Sequence, residues 1–85
     1  KVDPAEIEDC LLAHPAVAEC AVVGKPDPQR GQIVKAFVKL RAGFAGDQAL
    51  REALAGHVRE RLAGYKAPRA VAFVEEFELT SSGKI

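Results

Sequence analysis

The stretch Gly24-Lys25-Pro26-Asp27-Pro28-Gln29-Arg30-Gly31, followed by Ile33-Val34-Lys35-Ala36-Phe37-Val38-Lys39-Leu40, decides how this chain is read. In its second half, Val34, Ala36, Val38 and Leu40 alternate with Lys35, Phe37 and Lys39, the period-2 signature of a half-buried strand. Its first half is dense in turn residues and reads as a loop over 24–31. Upstream, Val17-Ala18-Glu19-Cys20-Ala21-Val22-Val23 reads as a second strand, so the two are expected to pair antiparallel across the loop.

Working outward, Asp3-Pro4-Ala5-Glu6 is a helix start. Asp3 caps free backbone N–H groups, Pro4 suits the first helical position, and Glu6 completes a capping-box-like arrangement. Ile7, Cys10, Leu11 and His14 follow at helical spacing, and Pro15 stops the helix. On the other side, Leu50, Leu54, Val58 and Leu62 recur at i, i+4 after Asp47, with Gly64 placed to end that helix in the left-handed conformation. Tyr65-Lys66-Ala67-Pro68-Arg69 reads as a connector and Val71 to Val74 as a short third strand. After Phe77 periodicity vanishes, and Glu78-Leu79-Thr80-Ser81-Ser82-Gly83-Lys84 reads as a polar loop. The expectation is an α+β domain in the order α-β-β-α-β: about three strands in a small sheet, with two helices packed on it and a C-terminal loop.

Eighty-five residues suit one domain, expected to bury only about 60–65% of its unfolded surface. Twelve basic residues balance twelve acidic ones, which argues against nucleic acid and anionic membranes as partners. No apolar run approaches the roughly 18 residues that span a bilayer. Cys10 and Cys20 are too few for a disulfide framework and lack zinc-site spacing; they read as reduced, core-directed thiols in a cytoplasmic setting. The chain opens at Lys1 without Met and stops after a Gly-Lys pair, which reads as a domain of something longer.

Little local chemistry stands out. His14 and His57 are expected on helices without ligand-spaced partners, and no metal is expected. Glu6, Glu8 and Asp9 read as a solvated helix face, and Glu75-Glu76 as a strand end. There is no Gly-x-Ser-x-Gly elbow, and Gly83-Lys84 lacks the rest of a P-loop. Thr80-Ser81-Ser82-Gly83-Lys84-Ile85 by itself is compatible with a plain linker. A lysine ending such a loop can also deliver a compact charge into another domain's site.

Taken together, these segments resemble the C-terminal domains of adenylate-forming enzymes: acyl-CoA synthetases, luciferases and peptide-synthetase adenylation domains. Val2-Asp3-Pro4-Ala5-Glu6-Ile7-Glu8 resembles their Ile-x-Pro-x-Glu-Ile-Glu, and residues 14–24 resemble His-Pro-x-Val-x-Glu-x-Ala-Val-Val-Gly. Pro26-Asp27-Pro28-Gln29-Arg30-Gly31, Tyr65-Lys66-Ala67-Pro68-Arg69 and the Thr-x-Ser-Gly-Lys-Ile ending follow in family order. The loop and connector look most like medium-chain and aromatic acyl-CoA ligases. One departure is Glu78-Leu79, where the family usually has Pro-Lys.

The resemblance implies an enzyme that activates a carboxylic acid with ATP and Mg2+ to acyl-AMP, then passes the acyl group to coenzyme A. A large N-terminal domain, the expected partner, would hold ATP, Mg2+ and the acid. Lys84 would serve the adenylation step, with Thr80, Ser82 and Gly83 shaping its loop, and Arg30, Arg59 and Lys1 would meet the phosphates of coenzyme A. Acetylation of Lys84 would then remove a working charge. Two alternatives stay open: transfer to a carrier-protein thiol, and a stand-alone α+β binding module. The mass of the native protein separates the second; the preferred thiol acceptor separates the first.

Overall fold

The computed structural model describes residues 3–29 and 31–77. Five regular elements appear: α1 (Pro4–Leu12), β1 (Val17–Asp27), β2 (Gly31–Leu40), α2 (Gln48–Arg61) and β3 (Ala70–Val74), with a 3-10 turn at Gly64–Lys66 before β3. The sheet has the order β1-β2-β3. β1 and β2 form an antiparallel hairpin in which Val22 faces Ala36 and Asp27 faces Gly31. β3 runs parallel to β2, with Val71 beside Ala36 and Val74 beside Lys39. A parallel pair needs a crossover, and α2 supplies it. The α+β arrangement expected from the stripes is the one observed.

Both helices start on aspartate caps. The Asp3 carboxylate accepts from the Ala5 N–H at 3.1 Å with Pro4 in the first turn, and Asp47 accepts from the Leu50 N–H at 2.9 Å. Their apolar stripes meet the alternating face of the hairpin. Ile7 and Leu11 of α1, Val17 and Val22 of β1, Val34, Ala36 and Val38 of β2, and Leu54 and Val58 of α2 form one buried core. Cys10, Cys20, Leu50, Leu62, Val71 and Phe73 pack partly buried around it.

Four local expectations are corrected. First, β1 continues through Pro26 to Asp27, so most of the expected 24–31 loop is strand. β1 lies at the sheet edge, where a proline's missing N–H breaks no ladder bond. The remaining turn begins at Pro28, with the Asp27 carboxylate accepting from the Gln29 N–H at 3.1 Å, and Gly31 takes the positive φ of 83° that re-enters the ladder. Second, α1 ends at Leu12, which leaves His14 in the turn beyond it. Third, α2 is not closed by a left-handed Gly64. Its cap Leu62 is extended (φ −127°, ψ 179°) and turns partly into the core, and Gly64 opens the 3-10 turn instead. Fourth, of the acidic edge of α1 only Asp9 is exposed as expected, while Glu6 and Glu8 are half-buried and meet partners described below.

Candidate functional site

Of the residues assigned by resemblance to catalysis, its loop or coenzyme A, Arg59 alone falls among those described; Lys1, Arg30, Thr80, Ser82, Gly83 and Lys84 lie outside them. Arg59 sits in the last turn of α2, exposed, where a cation complements the negative end of the helix dipole. A Cβ built on Gly56 would lie 3.8 Å from its Nη1, and one on Gly64 would lie 4.0 Å from its Cγ. The side chain therefore lies along a stretch kept low by glycines at both ends. Its neighbour Arg61 donates to the His57 carbonyl at 3.2 Å and lies 3.7 Å from Glu60, whereas Arg59 has no carboxylate partner among the described residues. A free, exposed guanidinium is the group a phosphate needs.

Topology separates this region from the chain's exit toward Lys84. The hairpin turn lies before the first residues of β2, while β3 runs parallel to β2 and leaves the sheet beside Lys39 at its far end. There Glu76 meets Lys39 at 3.7 Å, near the last described residue, Phe77. Gly46, just before α2, packs on Phe73, and Arg51 of α2 reaches the Val71 carbonyl, so α2 runs antiparallel to β3. Its C-terminal turn, carrying Arg59, points away from that exit.

Three sets of contacts that sequence spacing missed hold these parts in place. Lys66 Nζ lies 2.7 Å from Glu6 Oε1, and that hydrogen bond raises the lysine pKa. It joins the first turn of α1 to the connector before β3. Glu8 Oε2 accepts from the Val22 N–H at 2.8 Å, capping an outward-facing donor of the edge strand. His14 and His57 meet edge to face with ring centroids 5.1 Å apart, in an open cleft of about 470 Å³ between the end of α1 and α2. His14 Nδ1 accepts from the Ala16 N–H at 3.0 Å, and His57 Nε2 donates to the Cys10 carbonyl at 2.8 Å. Burial, with His57 and Arg61 adding to it, holds the His14 pKa below the usual imidazole range. The only advance sign of these contacts was the residue types themselves, since the partners are far apart in sequence.

A family model for the AMP-binding enzyme C-terminal domain matches residues 6–84. The chain belongs to this family. Across its whole length it is 51% identical to the human mitochondrial acyl-coenzyme A synthetase ACSM1 and 47% identical to acetyl-coenzyme A synthetase of Bacillus subtilis. Its fold matches the crystal structure of an acyl-CoA synthetase from Brucella canis with a TM-score of 0.89 and 55% identity over 96% of the chain. The chain spans about 15% of the length of each of these relatives. The AMP-binding C-terminal domain match runs from Glu6, the partner of Lys66, through Lys84. Among the described residues, no helix is long and apolar enough to cross a membrane.

Proposed function

We propose that this chain is the mobile C-terminal domain of an acyl-CoA synthetase whose large N-terminal domain binds ATP, Mg2+ and a carboxylic acid. The observation that carries the reading is the family match reaching residue 84, together with full-length coverage by relatives named as coenzyme A synthetases. Those names also favour coenzyme A over a carrier-protein thiol as acceptor. In the first step a carboxylate oxygen bonds to the α-phosphorus of ATP, the bond to the β-phosphate oxygen breaks, and pyrophosphate leaves. Two anions must approach, and charge spreads over the phosphoryl oxygens. The Lys84 ammonium, touching both the carboxylate and the α-phosphate, relieves that repulsion.

In the second step the sulfur of coenzyme A bonds to the acyl carbon, its proton is lost, and the carbon–oxygen bond to AMP breaks. Arg59 is exposed and unpaired as a phosphate contact requires; Arg30 and Lys1 belong to the same proposal. Thr80, Ser82 and Gly83 are assigned to the loop bearing Lys84. The departure of the chain toward Lys84 from the end of the sheet opposite the hairpin supports two half-reactions served by different faces. Mg2+ is assigned, together with ATP, to the large domain. A cytoplasmic setting is part of the reading and is supported by the free thiols Cys10 and Cys20.

The test is Lys84→Ala in the full-length parent, with the half-reactions scored separately. Pyrophosphate release from ATP and acid is expected to fall by about 10²–10³-fold, while acyl-CoA formation from supplied acyl-adenylate persists. Retention of both would make Lys84 part of a linker. Acetylation of Lys84 should reproduce the first loss.

A further inference from the structure

The sheet has two faces, and both helices pack on the same one. Val22, Ala36 and Val38 alternate onto that side, where Ile7 and Leu11 of α1 and Leu54 and Val58 of α2 join them in the core. The residues between them point to the opposite side, and the register lines them up in rows across the sheet. Ala21, Phe37 and Ala72 form the middle row. Toward the hairpin, Val23 lies beside Lys35 and Lys25 beside Ile33; toward the chain's exit, Lys39 lies between Glu19 and Val74. None of these side chains belongs to the core or to the residues packed around it.

A sheet with one solvated face is expected to alternate apolar inside with polar outside. Here the middle of the outer face is apolar as well. Phe37 is only half-buried and Val23 is 40% exposed, and both described helices lie on the other side. The Lys35 ammonium stands 5.0 Å from the centroid of the Phe37 ring. An aromatic centre with long cations at its rim has the composition of a protein interface.

The charge of the rim bears on the partner. The ion pairs among the described residues are Lys39–Glu76, Arg61–Glu60 and Lys66–Glu6, so Lys39 is matched while Lys25 and Lys35 belong to none of them. A second copy laid on this face would set unpaired lysines against unpaired lysines, which repel. The chain spans about 15% of the length of its relatives, so in the proposed synthetase most of the protein surface within reach belongs to the large domain.

We propose that the Phe37 face of the sheet is a seat for the large domain, which meets it with an apolar patch rimmed by carboxylates. This rests on the reading of the chain as the mobile domain of an acyl-CoA synthetase, and it names the surface and charges that hold one docked position. The seat forms in one half-reaction only, because a domain that turns between steps cannot keep one face on the same patch. Salt screens the part played by Lys25 and Lys35, so ionic strength shifts the balance between the two half-reactions.

The test uses the full-length parent, with pyrophosphate release and acyl transfer from supplied acyl-adenylate measured separately across a salt series. Phe37→Thr keeps a strand former on the sheet and is expected to slow one half-reaction by about tenfold relative to the other. Lys35→Glu leaves the apolar centre in place; it should slow the same half-reaction and flatten its salt dependence. A thermal midpoint close to wild type separates lost docking from lost folding, and Lys35→Glu carries the test should Phe37→Thr unfold. Equal slowing of both half-reactions, no slowing, or an unchanged salt slope in Lys35→Glu would overturn the proposal. So would dissociation of an oligomer in sedimentation with both half-reactions intact, which would give the face to a second copy. The wider reading fails separately: a wild-type parent that makes no acyl-CoA from ATP and acid sinks it, whereas an active wild type with indifferent variants sinks the seat alone.

Discussion

Cys20 lies half buried in β1, with its thiol 3.5 Å from the Glu8 carbonyl oxygen, and burial, reinforced by Glu8 and Asp9, pushes its pKa up to about 11. The thiolate is the reactive form. At pH 8 Cys20 should therefore alkylate with iodoacetamide about a hundredfold more slowly than a free thiol at the ordinary value, as followed by mass spectrometry of the intact chain. Alkylation at the free-thiol rate would show that the burial is not retained in solution. Reading Cys10 and Cys20 as small core-directed residues was possible from the sequence, because apolar neighbours recur at strand and helix spacing around them. The roles of Glu6 and Glu8 were not. Their partners, Lys66 and the Val22 N–H, lie 60 and 14 residues away, and no local pattern distinguishes a carboxylate facing water from one facing a distant donor.

At the scale of elements, the end of α1 is joined to α2 through His14 and His57. His14 Nδ1 must stay unprotonated to accept from the Ala16 N–H, and Ala16 is fully buried. A proton there would orphan that donor and place a cation beside His57 and Arg61, with Glu60 on the same cleft wall already close to Arg61. The folded-state pKa of His14 lies below its ordinary 6.5, so the unfolded chain binds the proton more readily. Stability is therefore full above about pH 6.5 and falls as the pH drops through the lower folded-state value. Urea denaturation from pH 7.5 to 5 should show this loss, and His14→Asn should flatten the profile. An unchanged slope in that variant would place the acid sensitivity elsewhere. The same scale shows why β1 outran its expected length. Pro26 is a breaker by type, but a breaker ends a strand only where its N–H is needed, and edge position is decided by the whole sheet.

For the whole molecule, the Glu6–Lys66 pair joins the first turn of α1 to the connector that leads through β3 toward Lys84. The lysine side chain is only 19% exposed, so this contact is more sheltered than the other ion pairs among the described residues. Lys66→Met and Glu6→Gln are each expected to lower the thermal midpoint of the full-length parent and to slow adenylation more than acyl transfer. The charge-exchanged double variant, Glu6→Lys with Lys66→Glu, should recover part of both losses. Equal slowing of both half-reactions, with no recovery in the exchange, would reduce the pair to a general contribution to stability. The family motif offered Lys66 as a connector residue. Only the folded chain showed that this connector is fastened to the opposite end of the sequence.

The sequence by itself determined the element order, the two aspartate-capped helices, the antiparallel hairpin and the family, because capping, turn residues and hydrophobic period are local properties that survive without knowledge of the fold. It also supplied Lys84, Arg30, Arg59 and Lys1 as candidates, through a motif order rather than through geometry. The tertiary structure alone decided that β3 runs parallel to β2, that the hairpin and the chain's exit lie at opposite ends of the sheet, and that Glu6, Glu8, His14 and His57 face partners. These are contacts between residues far apart in the chain, set by how the sheet and helices close on a shared core, and no short-range periodicity encodes them.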